Sequence, residues 1–304
     1  MQRSLGELRE AIRTVVAINV TPFMDDGRID ESSYRALLVR AADAGVSAFT
    51  ANGNTSEFYS LTAQERRRAV ELTVESAHDS VVLAGVGLDV GTALDEATQH
   101  AELGAECIMV HQPVHPFWSR EGWVAYHREI CEALPGLGVV PYIRDSRIGV
   151  PAIHELVTTC PNVIGVKYAF PDPSIFAALV VGTDDIDLAW ICGVAETWAP
   201  FFALAGATGF TSGLAVVDPA RSVRMLEYLQ RKQFDDAMVE WQAVAGFEAL
   251  RARGSSEYNV SVVKEALAQL GLCRRDVRAP LSLLPAADRQ TVTRILDNWG
   301  LVFA

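Results

Sequence analysis

The chain has 304 residues, 50% of them hydrophobic and 21% charged, with a formal net charge of −12. That length accommodates one large domain or two modest ones, and no stretch approaches the ~20 apolar residues that cross a bilayer. The acidic balance argues against general binding to a nucleic-acid backbone, but one local Arg or Lys outweighs the global field, so a small anionic substrate stays open.

The N-terminal stretch "MQRSLGELREAIRTVV" mixes charges of both signs. It lacks the apolar run and small-residue cleavage site of a signal peptide, so a cytoplasmic location is expected. Short apolar runs then alternate with longer amphipathic ones. "VVAINVTPF" at 15–23 and "VSAFTAN" at 46–52 are the first two apolar runs, followed by "TAQE" at 62–65. The last is a capping box, in which Thr62 accepts from the Glu65 amide while Glu65 reaches back. "VVLAGVG" at 81–87 is the third run, and "LGA" at 103–105 closes a helix with glycine before "CIMVHQP" at 107–113. "GVVPYI" at 138–143, "NVIGVK" at 162–167, "DLAWICG" at 187–193 and "TGFTSG" at 208–213 complete the set. Asp172-Pro173 and Asp218-Pro219 each place an N-cap acid before proline at the first helical position, and "AGATG" at 205–209 is a second glycine stop.

These runs are continuous rather than alternating, which suits strands covered on both faces. Eight strand–helix units in one stretch predict a (β/α)8 TIM barrel over residues 1–225. A doubly wound sheet is the rival. "GVGLDVG" at 85–91 faintly resembles a dinucleotide fingerprint, but its third glycine is one residue late and it follows the third strand. The tail reads as helices in series, an extension over 226–304 packed on the barrel. Five cysteines are scattered without a C-x-x-C pair, which fits a reducing compartment; Cys107 and Cys192 read as core fillers.

In such barrels the working residues come from the C-terminal ends of strands and the loops beyond. Strand 2 delivers "ANGNTSEF", strand 4 "HQPVHPFW", strand 5 Tyr142 with "RDSR", and strand 6 Lys167. The chain holds only three lysines, Lys167, Lys232 and Lys264, its other cations being arginine. A lysine kept behind Val163, Ile164 and Val166 is either wanted for its amine, which arginine cannot supply as a nucleophile, or ends the strand and snorkels to water or pairs with a carboxylate. Such an amine condenses with a ketone to an iminium, the electron sink for aldol chemistry or loss of a β-hydroxyl. Tyr142 offers a phenol as proton shuttle. Gly53, Asn54, Thr55 and Ser56 offer amides and hydroxyls as a carboxylate nest. Glu57 is either an acid–base group or a structural carboxylate holding loop amides. Arg144 or Arg147 could meet a distal carboxylate or hydroxyl by a forked contact, or pair with Asp145. Thr211 and Ser212 stand where sugar-acid hydroxyls would be read. No cluster has metal-ligand spacing, and the iminium needs neither metal nor cofactor. Phe117, Trp118 and Trp123 form either an interface patch or a helix core.

The chain also resembles the dihydrodipicolinate synthase / N-acetylneuraminate lyase superfamily of class I aldolases and dehydratases. The likeness runs through "VTPFMDDGRID", "GNTSEFYSLTAQER", "VVPYIRDSRIG", "NVIGVKYAF" and "NVSVVKEALAQLGLCRRDVRAPL". It implies a Schiff-base lysine at Lys167, a catalytic tyrosine at Tyr142 and a carboxylate-binding G-x-T-x-E loop at Gly53–Glu57. It also implies a small 2-oxo acid substrate and a homo-oligomer, commonly a tetramer built from dimers. Where dihydrodipicolinate synthases carry a second hydroxyl residue this chain has Asn54, and where they carry a relay tyrosine it has Val114 and His115. "EFYSLT" and "YIRDSR" are instead similar to 5-dehydro-4-deoxyglucarate dehydratases, apart from Ile143 in place of asparagine. The expectation is a dehydratase or aldolase of a 2-oxo-3-deoxy sugar acid. The alternatives are dihydrodipicolinate synthase itself and a non-catalytic 2-oxo acid-binding paralogue.

Overall fold

A computed structural model describes residues 3–301. Eight parallel strands close into a barrel in sequence order: β1 Val15–Ile18, β2 Ala48–Ala51, β3 Val81–Val86, β4 Cys107–Val110, β5 Gly138–Ile143, β6 Gly165–Tyr168, β7 Ala189–Cys192 and β8 Gly209–Ser212. Interleaved with them are α1 Leu5–Ala11, α2 Glu31–Asp43, α3 Ala63–Ser76, α4 Val90–Glu102, α5 Arg120–Ala133, α6 Val150–Thr159, α7 Pro173–Val181 and α8 Ala195–Leu204. After the last strand come α9 Pro219–Gln230, α10 Phe234–Ser256, α11 Asn259–Gln269 and α12 Ala286–Trp299. The predicted (β/α)8 barrel is the observed fold, and the doubly wound alternative is excluded by closure of β8 on β1.

Because side chains alternate along a strand, each apolar run serves two cores. Val16, Ala48, Leu83, Cys107, Val140, Ala189 and Ile191 fill the barrel interior. Ala17, Phe49, Val82, Ile108, Val166 and Tyr168 face the helices. That double duty is why the runs look uniformly apolar. Leu8 of α1 and Ile12 just beyond it join the interior cluster, and Ile12 lies against Gly165, at the start of β6.

The helix signals act as the sequence suggested. Thr62 and Glu65 form the capping box of α3, Asp172 and Asp218 cap α7 and α9, and Gly104 and Gly206 take φ of 101° and 106° after α4 and α8. A second capping box, Ser4 with Glu7, starts α1 and was passed over in the sequence. The tail's first run is broken between α9 and α10, where Lys232 adopts φ 58° and turns the chain without glycine or proline. The aromatic patch divides: Trp123 is buried in the core, whereas Phe117 is 87% exposed.

Trp123→Ala should therefore lower the unfolding free energy by about 3–5 kcal/mol, the usual cost of deleting a buried large aromatic. Phe117→Ala should stay within about 0.5 kcal/mol. Urea unfolding of both variants checks the contrast.

Candidate active site

Val166 and Tyr168 face the helices, so Gly165 and Lys167 face inward. Strand pairing sets Lys167 beside Tyr142 on the neighbouring β5. The Lys167 amine lies 4.1 Å from the centre of the Tyr142 ring and 3.6 Å from the Met109 sulfur. Gly193, beyond β7, leaves it room: a Cβ there would come within 3.0 Å of Lys167 Cγ. Lys167 is 2% exposed, and among the described residues no carboxylate pairs with it. Burial, helped by the nearby positive charge of Arg144, pushes its pKa down to about 7. A large share of the amine is thus neutral and nucleophilic near neutral pH. Burial raises the Tyr142 phenol, against the opposing influence of Arg144 and the Asn54 side chain.

The loop after β2 is folded on itself. Ser56 and Phe58 donate their amides to the Gly53 carbonyl at 3.0 and 3.3 Å, and Glu57 donates to that of Asn54 at 3.1 Å. Among the described residues the Asn54 and Thr55 amides have no acceptor, and neither does the Thr55 hydroxyl. Two successive free N–H groups beside a hydroxyl form a concavity suited to a carboxylate.

Two loop residues expected at the substrate turn elsewhere. The Ser56 hydroxyl donates to the Asn19 carbonyl and accepts from the Gly53 amide at 3.2 Å, while Thr21 donates to the Ser56 carbonyl at 2.8 Å. Glu57 is buried, ion-paired with Lys264 of α11, and accepts from the Arg278 amide at 2.9 Å. Both its carboxylate oxygens are engaged inside the protein, which leaves the structural role of the two readings. Lys264 also donates to the Asp276 carbonyl at 2.6 Å.

The two arginines also separate. Arg147 pairs with Asp145 at 2.7 Å and stacks over Trp118 at 3.8 Å. The Arg144 guanidinium has no ion pair among the described residues. It lines a cavity of about 240 Å3 with Asn54, Gln112, Trp118, Tyr142 and Asp145. A larger cavity of about 470 Å3, lined by Arg13, Thr208, Phe210 and Lys232, includes neither Lys167 nor Tyr142.

Thr211 pairs with Val16 in the sheet register and shares the inward parity. Ser212, one residue on, faces outward and is fully buried: it donates to Glu196 and accepts from the Ala215 amide at 2.8 Å. It therefore does not reach the mouth, contrary to expectation. Glu196 also accepts from Ser222 at 2.6 Å, and burial with the neighbouring Glu248 charge raises its carboxyl to about 7. Among the described residues His115 bonds within its own loop, to Phe117. The histidine that does enter the interior is His111, which sequence reasoning did not single out. Its parity with Met109 was the available signal. Among the described residues no group of three His, Cys, Asp or Glu side chains could hold a metal ion.

Lys264→Met would strand the Glu57 carboxylate without its cation. The expected loss is about 3–5 kcal/mol, read by urea unfolding, with Glu57→Gln added to the same chain restoring part of it.

The sequence profile of the Dihydrodipicolinate synthetase family matches residues 11–299. A probable 5-dehydro-4-deoxyglucarate dehydratase of Methylobacterium radiotolerans is 30% identical over 93% of this chain and 94% of its own. One of Rhizobium rhizogenes is 28% identical over 96% of this chain and 97% of its own. Among solved structures, dihydrodipicolinate synthase from Bacillus clausii superposes with a TM-score of 0.93 at 38% identity, covering 97% of this chain and 100% of that one. With its barrel, inward lysine and loop in place, the chain belongs to the Dihydrodipicolinate synthetase family.

Proposed function

We propose that this protein is a Schiff-base lyase that dehydrates a 2-oxo-3-deoxy sugar acid, in the manner of a 5-dehydro-4-deoxyglucarate dehydratase. The observation that carries the reading is Lys167, a buried amine beside Tyr142 with no counter-charge among the described residues. Its amine adds to the C2 ketone, and the carbinolamine loses water to give an iminium. The iminium draws electrons from C3, a C3 proton leaves, and the resulting enamine expels the C4 hydroxyl as water. Hydrolysis of the product imine returns the free lysine. Tyr142 moves protons to and from the carbinolamine and the departing hydroxyl. The Asn54 and Thr55 amides with the Thr55 hydroxyl hold the C1 carboxylate, and Arg144 meets a distal carboxylate.

The chemistry resides in the barrel, 1–225, with 226–304 as its support. Unpaired cysteines suit a cytoplasmic enzyme. Exposed apolar side chains, Leu204 at 66% and Val181 at 69%, suit a homo-oligomer.

A second reading, condensation of pyruvate with aspartate semialdehyde, is favoured by the 38% identity to the dihydrodipicolinate synthase of Bacillus clausii. Asn54, Val114 and His115 weigh against it, since they remove two hydroxyl groups from the proton relay of that reaction. Turnover of 5-dehydro-4-deoxyglucarate, measured beside pyruvate plus aspartate semialdehyde, separates the two. Dehydration abolished by Lys167→Ala supports the first, and condensation alone supports the second. Turnover of neither points to a binding paralogue. Arg144→Leu should raise KM for the diacid about 10- to 100-fold, as loss of a charge-assisted contact does, and leave pyruvate capture unchanged at a pH well above 7, where the Lys167 amine is neutral with or without the arginine.

A further inference from the structure

His111 lies one residue beyond β4, 1% exposed, on the inward parity of Cys107 and Met109. Its Nε2 is 2.8 Å from the Asn52 carbonyl oxygen. A carbonyl only accepts, so Nε2 carries the proton and Nδ1 is left as a lone pair. The ring is stacked on Phe58 at 4.2 Å and 20°, and the Arg66 guanidinium lies over the Phe58 ring at 5.0 Å. Asn52 itself sits in the left-handed region at φ 60°, with its side-chain amide donating to the Arg66 carbonyl at 2.9 Å.

The surrounding glycines are cut to this contact. A Cβ on Gly85 would fall 2.1 Å from the Asn52 oxygen and 3.1 Å from His111 Nε2, on the hydrogen bond itself. One on Gly87 would fall 2.9 Å from His111 Cβ. Gly85 and Gly87, the first two glycines of "GVGLDVG", thus have a local purpose.

We propose that His111 is a positioning residue for the substrate carboxylate: its Nε2–H holds the Asn52 carbonyl, fixes the left-handed turn into Gly53, and so aims the free Asn54 and Thr55 amides. The role rests on the reading of that loop as the carboxylate nest. His111 contributes a donor at one point in space, not a charge; burial and the positive charges of Lys167 and Arg144 hold its pKa down to about 3.

The test pairs two replacements with opposite losses. His111→Phe keeps a flat ring against Phe58 and loses the donor, while His111→Gln keeps a donor near Nε2 and loses the ring. Two readouts are taken on the full-length protein: the half-saturating pyruvate concentration for borohydride capture, and hydrogen exchange of the Ser56, Glu57 and Phe58 amides. His111→Phe should raise the half-saturating concentration about tenfold, as loss of one buried hydrogen bond does, with the limiting capture rate within about twofold. Its loop amides should exchange faster, and His111→Gln should stay near the parent in both readouts. If the Phe variant does not fold, His111→Asn, whose carboxamide is too short to reach, takes its place. Equal half-saturation in all variants overturns the proposal, as does a fall in the limiting rate instead, or failure of Gln alongside Phe. If the parent captures no pyruvate, the Schiff-base reading fails, and loop exchange alone then decides the role of His111.

Discussion

Parallel pairing of β5 with β6 puts Tyr142 and Lys167 side by side on the inner face of a closed barrel, and the chemistry available to this fold follows from that register. A slip of one residue in β6 would send Lys167 into the helix layer while Tyr142 stayed on the inner face. Below them the interior is filled by Val16, Leu83, Cys107, Val140 and Ile191, which exclude water. Above them, Arg144 adds positive charge with no ion-pair partner among the described residues. Desolvation and like-charge repulsion act in the same direction on the amine, and both come from the scaffold. The site is therefore prepared before any substrate arrives.

The loop from Asn52 to Phe58 is the second requirement, and the protein secures it from three sides. His111 bonds its entry, Ser56 bonds its middle to Asn19 and Thr21 in the segment after β1, and Glu57 ties its exit to Lys264 and Arg278. Ion pairs buried this deeply add little net stability compared with apolar packing, but breaking one is costly. Their effect here is geometric. The helical tail, through Lys264, reaches back to a loop that follows the second strand, so a change far along the chain is felt at the proposed carboxylate site.

Much of this was legible in the sequence because burial on both faces leaves a continuous apolar run, and glycine and capping signals mark the ends. Lys167 and Tyr142 could be placed because barrel chemistry gathers at strand ends. What was not legible is which partner an inward or buried group meets. Glu57 finds Lys264, 207 residues away, and no local pattern announces such a pair. Parity would have separated Thr211 from Ser212 and drawn out His111 beside Met109, since successive residues of one strand point to opposite faces and alternate ones share a face. The turn at Lys232 escaped because a left-handed residue other than glycine leaves no compositional mark.

The most direct measurement is borohydride capture of a 2-oxo acid as a function of pH, with the modified residue located by peptide mass. The buried amine predicts a reduced adduct on Lys167, absent in Lys167→Ala, whose rate of formation rises with pH through about 7 as that amine loses its proton. An adduct on Lys232 or Lys264, or none at any pH, would contradict the Schiff-base mechanism.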